Sequence, residues 1–223
     1  MKTNVVKIPC TIDRDLLLKS LHIKPDSHLL ENVDKMIEQA LEIGVPKTAY
    51  KIAYVDSKSD DHVVVDGIKF TSRILRVNLE ETFKVVPYVI TCGVELEKWA
   101  KTYDDMFSKL CADLIMEGIL FTAHYSFFQK IDEEFNLGHA VIMNPGSLED
   151  WPLREQEPLF QLLGNVEEMI GVKLSDSYLI TPLKSTSGFR FPKKGDYENC
   201  QLCPRENCPG RRAPYDKNLY NEK

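Results

Sequence analysis

The chain has 223 residues, of which 43% are hydrophobic and 28% charged, with a formal net charge of -6. That length can bury a substantial core, and the composition is that of an ordinary globular protein. The acidic balance argues against a general nucleic-acid binder, and no apolar run approaches the roughly 18 residues expected of a membrane span.

The opening stretch, Met1 to Cys10, lacks a long apolar core and a small-residue cleavage site. A cytoplasmic location is therefore expected. Ile12 to Ile23 carries leucines at 16, 17, 18 and 21, a short amphipathic helix broken by Pro25-Asp26-Ser27. Asp26 or Ser27 can cap a second helix running to about Ile43, with Val33, Ile37, Ala40 and Leu41 on one face. Thr48 to Val55 and Val63 to Phe70 change to a strand-like period. A helical stretch near 72–80 follows, then a strand over 83–90 in which Pro87 points to an edge position or a bulge. Gly93 opens a helix through Trp99. The run 104–135 reads as one long helix with a broad apolar face, ended by Asn136-Leu137-Gly138. Within it Cys111 reads as a small buried hydrophobe and His124 as a satisfied interior histidine. Asp113 and Glu117, four residues apart on that helix, could face one site, against their reading as solvated or capping partners.

A strand at 139–143 leads to Asn144-Pro145-Gly146-Ser147, helices near 153–163 and 165–170, and strand-like segments on both sides of Pro182. Gly146 permits close backbone approach, so this turn is either a ligand contact or an ordinary strand-to-helix turn. Ser185, Ser187 and Gly188 carry the same pair of readings. No Ser/His/Asp set and no glycine-rich phosphate loop is recognisable.

Beyond Pro192 the chain turns polar and proline-rich, with Cys200, Cys203 and Cys208 in the spacing Cys-x2-Cys-x4-Cys. Thiolates so spaced suit an iron–sulfur cluster or zinc, and both stay open. A fourth ligand is missing from the run. Cys92, at a strand-to-helix turn, is the first choice, against its reading as a buried thiol. Lys184, Arg190, Lys193, Lys194, Arg205, Arg211 and Arg212 outnumber the local acids, a balance that suits either an acidic partner or a solvated tail. Tyr215 to Lys223 is expected to be frayed or ordered by a partner.

The segment Met143-Asn144-Pro145-Gly146-Ser147-Leu148-Glu149-Asp150-Trp151-Pro152, then Gln156, Leu159-Phe160 and Leu162-Leu163, is distinctive. It continues through Ile170-Gly171-Val172-Lys173-Leu174 and Pro182-Leu183-Lys184-Ser185-Thr186-Ser187-Gly188-Phe189-Arg190-Phe191. In order and spacing it resembles the activation (reactivation) domain of cobalamin-dependent methionine synthase, most specifically over 139–192 and more weakly back to about residue 12. The cysteine tail is similar to tails on stand-alone relatives of that domain.

The resemblance implies an α+β fold: a C-shaped single domain (1–192) around a twisted, largely antiparallel sheet with a long central helix, followed by an irregular cysteine-rich tail (193–223). It implies a role in vitamin B12 chemistry and methionine biosynthesis beside a corrinoid protein or cobalamin-dependent methyltransferase, with cobalamin carried by the partner. In the synthase, S-adenosylmethionine donates a methyl group while an electron donor reduces inactive cob(II)alamin. By the same resemblance Asn144, Pro145, Gly146, Ser147, Ser185, Ser187 and Gly188 are the candidate cofactor-binding residues. Ile142 and Ser147 stand where the synthase has an arginine and a tyrosine. Isoleucine cannot form the arginine's paired bonds to a carboxylate, so S-adenosylmethionine is not expected to bind in the synthase's manner.

Two readings follow. One is an accessory protein whose tail cluster relays an electron from a redox carrier to the corrinoid. The other is a non-enzymatic corrinoid-protein binding module with a structural zinc site. The chain is too short to hold the synthase's other domains as well, so complete synthase activity is expected to need separate polypeptides.

Overall fold

The computed structural model describes residues 2–24, 26–193, 199–205, 207–208 and 211–219. Pro25 at the first helix break, Lys194, Asp196 and Glu198 in the tail, and residues 220–223 lie outside the described residues. Strand β1 (Asn4–Lys7) is followed by helices α1 (Arg14–Ser20) and α2 (Leu30–Ile43). Asp13 starts α1 by accepting a bond from Leu16 N. Strands β2 (Lys47–Tyr50), β3 (Ala53–Lys58), β4 (His62–Val65) and β5 (Ile68–Thr71) come next, then α3 (Arg73–Asn78) and β6 (Lys84–Thr91). Helices α4 (Val94–Ala100) and α5 (Met106–Phe135) lead to β7 (Ala140–Met143), α6 (Gln156–Leu163) and α7 (Val166–Ile170). A two-stranded ribbon, β8 (Lys173–Leu174) with β9 (Ile180–Thr181), precedes the long strand β10 (Ser185–Pro192).

The fold is α+β, with an antiparallel sheet curled into a half-barrel and α5 as its long central helix. Strand β6 is its axis. Tyr50 and Gly188 both pair with Tyr88, so β2 and β10 must hold opposite edges of β6. Strands β2 and β3 run in one continuous register along their shared edge, Lys47 opposite Thr91 and Ala53 opposite Val85. They separate at Lys51 and Ile52, where Pro87 stands opposite.

This corrects the edge or bulge expected at Pro87. The proline lies inside a doubly paired strand, accepting at its carbonyl from Lys51 N at 3.3 Å. Having no N–H, it cannot return the second bond, and the partner strand breaks there instead. The run Val63 to Phe70 is likewise two strands and not one. Asp66 (φ 45°) and Gly67 (φ 79°) form the two-residue turn of a β4–β5 hairpin. Asp66 is held there by Tyr54 N at 2.8 Å and Lys51 Nζ at 2.8 Å.

Four buried clusters fill the two faces of the sheet. One packs Trp151, Phe70, Phe189 and Phe191 with β4, β5 and α6. Another packs Tyr88, Phe127, Phe128, Ile131 and Ile142 under the second half of α5. Cys92 and Cys111, both fully buried, lie in a third between α2, α4 and α5. The fourth joins Val89 to α7. Three ion pairs tie β10 and the residue before it to α5. Lys184 bridges Asp113 (2.9 Å) and Glu117 (3.1 Å), while Arg190 grips Asp132 through both Nε and Nη2 and lies 4.4 Å over the Phe128 ring. The basic excess near the tail is thus partly spent inside the fold.

His124 sits half-buried on α5 against Phe128 and Tyr88. Desolvation, with the nearby charges of Arg190 and Arg212, lowers its pKa from 6.5 to about 4. Between these values the folded state holds fewer protons than the unfolded one, so stability falls as pH drops through that window. Urea titrations at pH 7 and pH 4.5 should show a loss of about 1–2 kcal/mol from this group. The His124→Gln variant should flatten that part of the pH dependence, and an unchanged slope would refute the assignment.

Candidate functional site

The sheet forks where β7 leaves β10. Strand β7 pairs with β10 from Ala140 opposite Pro192 to Met143 opposite Phe189, then departs at Asn144. Strand β10 continues to Ser185, paired along its other edge with β6. Backbone groups alternate along a strand, and Lys184 O accepts from Cys92 N on the β6 side. Ser185 and Ser187 therefore turn their backbone groups toward the fork, where Ser187 O meets Asn144.

A cavity of about 350 Å³ occupies the fork, lined by Asn144 to Ser147, Leu153, Gln156, Ile180 and Ser185 to Ser187. Six of the seven residues proposed from sequence as cofactor contacts line it. The seventh, Gly188, forms its hinge. A Cβ on Gly188 would collide with Met143 O and lie 2.7 Å from Asn144 Nδ2, so only glycine lets the end of β7 approach this closely. Asn144 clamps the hinge: its Nδ2 donates to Ser187 O (2.7 Å) and to Tyr88 Oη (2.9 Å). Burial pushes the Tyr88 phenol well above its usual range, so it stays neutral.

The opposite wall is fixed by neutral hydrogen bonds. Gly146, at φ 85°, donates to Trp151 O at 2.7 Å, closing the turn against Leu153. Ser187 Oγ donates to Gln156 Oε1 (2.8 Å), and Gln156 Nε2 donates to Tyr178 O (3.2 Å). Ser185 Oγ lies 2.7 Å from Pro182 O and 2.8 Å from Thr91 Oγ1. The cavity lining carries no ionisable side chain. Such a lining offers neutral donors and acceptors, its hydroxyls and amides, to a ligand.

Gln156, quoted in the distinctive segment but not among the candidate contacts, lines the cavity, and Tyr88, which the sequence reading passed over, backs it through Asn144. Gln156 stands three and seven residues before Leu159 and Leu163, on the buried face of α6, and a lone amide in an apolar stripe is a usable signal. Tyr88 offers no such signal. It reaches Asn144 because pairing with Gly188 places it there.

The cysteines do not form one centre. Cys92 is fully buried, donates to Gly93 O at 3.8 Å, and has its pKa pushed up to about 12 by desolvation. It belongs to the α2–α4–α5 cluster, whereas Cys203 packs on the Trp151 cluster. Cys200, Cys203 and Cys208 are each half-buried free thiols. Among the described residues, no three His, Cys, Asp or Glu side chains converge closely enough to hold a metal ion. The described residues therefore give the expected iron–sulfur cluster or zinc ion no support. No described helix is long and apolar enough to cross a membrane.

Replacing Gly188 by alanine should force β7 away from β10 and cost about 1–3 kcal/mol. Thermal denaturation checks this, and a variant as stable as the parent would show that the fork does not depend on that close approach.

No family profile and no curated protein matches the chain. Among solved structures, the MetH reactivation domain bound to AdoHcy is similar, with a TM-score of 0.62 at 14% identity. The match covers 88% of this chain and 80% of that one. At this identity the likeness establishes a shared fold, the one the motif over 139–192 implied.

Proposed function

We propose that this chain is an accessory module for corrinoid-dependent methyl transfer, binding beside a corrinoid protein without performing the transfer itself. The observation that carries the reading is the fork. Two motifs, separated by about forty residues, meet at one cavity within a fold shared with a reactivation domain solved with AdoHcy. Cobalamin belongs to the partner in this reading. The module contributes a preformed concave edge and a neutral polar cavity beside it.

The neutral lining limits what the cavity accepts. Ile142 is 6% exposed and packs under α5 opposite Arg190, so its position supplies no cation for a carboxylate. Arg190 is committed to Asp132 and Lys184 to Asp113 and Glu117. A ligand is held here through hydroxyl, amide and ring contacts, which suits a sugar or nucleobase better than an amino-acid end. No electron-relay step is assigned to the tail, because the described thiols do not converge.

Two measurements test this. Calorimetric titration with S-adenosylmethionine should give a dissociation constant weaker than about 100 μM, reflecting the missing charged contact. Micromolar affinity would overturn the reading that the neutral lining disfavours an amino-acid end. Immobilised full-length protein should retain a corrinoid-loaded methyltransferase domain and shift its cob(II)alamin spectrum. A partner that passes through unretained, with its spectrum unchanged, would sink the accessory role.

A further inference from the structure

The described part of the tail is folded around one side chain. Arg211 Nη1 donates to Cys200 O (3.0 Å) and Ala213 O (2.9 Å), and Nη2 donates to Cys203 O (2.8 Å) and Arg205 O (2.5 Å). Its backbone N–H donates to Cys208 O at 3.0 Å. The remaining donor, Nε, is buried with no partner among the described residues. Four carbonyl dipoles thus converge on one guanidinium, whose planar fork can serve several acceptors at once.

The loop so formed is anchored to the body. Cys203 N bonds Cys200 O at 3.3 Å, making a tight turn, and Asp216 N bonds Gln201 O at 2.7 Å, bringing the following segment back over it. Leu202, 4% exposed, enters the Trp151 cluster on the back of β7, with Cys203 and Leu219 packed against it. The frayed end expected at Tyr215 therefore does not hold for Leu219.

A metal–thiolate centre calls for the opposite polarity. Its sulfurs carry negative charge and are stabilised by N–H groups directed at them. Among the described residues Arg212 N donates to Cys200 Sγ at 3.5 Å, while four carbonyls are aimed inward at a cation. We propose that the Arg211 guanidinium, and no metal ion, is the cation that folds the Cys200–Ala213 loop and pins the tail on β7. Arg211 is a positioning residue: through Leu202 it braces the strand that leads into the fork. The inference rests on the loop alone and stands apart from the corrinoid reading.

The test uses reduced full-length protein, with and without exhaustive chelator treatment. Amide hydrogen exchange over 199–219 and alkylation rates of Cys200, Cys203 and Cys208 are read by mass spectrometry. Chelated wild-type protein should keep its exchange protection and its alkylation rates. Arg211→Ala should alkylate Cys203 about tenfold faster, the equivalent of one lost charged hydrogen bond. Arg211→Lys, which keeps the charge but cannot span four carbonyls, should fall between the two. Slow alkylation in Arg211→Ala would overturn the proposal. So would opening of the wild-type loop on chelation alone with release of a stoichiometric metal. Should Arg211→Ala not fold, the lysine variant and the chelated wild type still decide it.

Discussion

Everything in this molecule hangs on the doubly paired strand β6. One edge carries β2 and β3 in a single register, the other carries β10, and each helix layer rests on a face of that ladder. Its side chains feed three of the four clusters through Val85, Val86 and Val89, and Cys92, directly after it, belongs to the remaining one. A strand buried on both faces has no polar alternation to fix its register. Here the register is fixed by constraints at particular residues. Pro87 interrupts one partner, and Gly188 admits the tyrosine opposite it.

The fork is a consequence of unequal strand lengths. Strand β10 has eight residues and β7 four, so half of one β10 edge is left to the Asn144 turn. An unpaired strand edge is ordinarily a liability, because its backbone groups invite another chain. Asn144 offsets part of that by bonding Ser187 O and Tyr88 together, and the Gln156–Ser187 bond rigidifies the other wall. The same bonds preorganise the cavity for a ligand.

Charge in this protein works mainly as internal fastening. Lys184, just before β10, and Arg190, near its far end, hold α5 along the sheet through Asp113, Glu117 and Asp132. Arg211 does the same for the tail, with backbone carbonyls in place of carboxylates. Removing one partner of such a half-buried pair leaves the other charge poorly solvated, so these contacts specify geometry more than they add stability.

The sequence by itself settled the long helices and most of the residues around the fork, but not the hairpin at Asp66-Gly67 or the pairing at Pro87. Helices α2 and α5 follow from apolar periodicity, and their ends from the cap residues Gly44 and Asn136. The Pro-Gly turn and the Ser-x-Ser-Gly strand named the residues that line the cavity, since glycine at a close approach leaves a local mark. What the tertiary structure alone decided were long-range partners. Tyr88 joins the site by pairing with Gly188, a hundred residues on. Cys92 is kept from the tail by burial in another cluster. The cysteine spacing fixed only that three thiols lie close along the chain. Whether they turn inward depends on which groups fill the loop, and there Arg211 and the carbonyls around it occupy the centre.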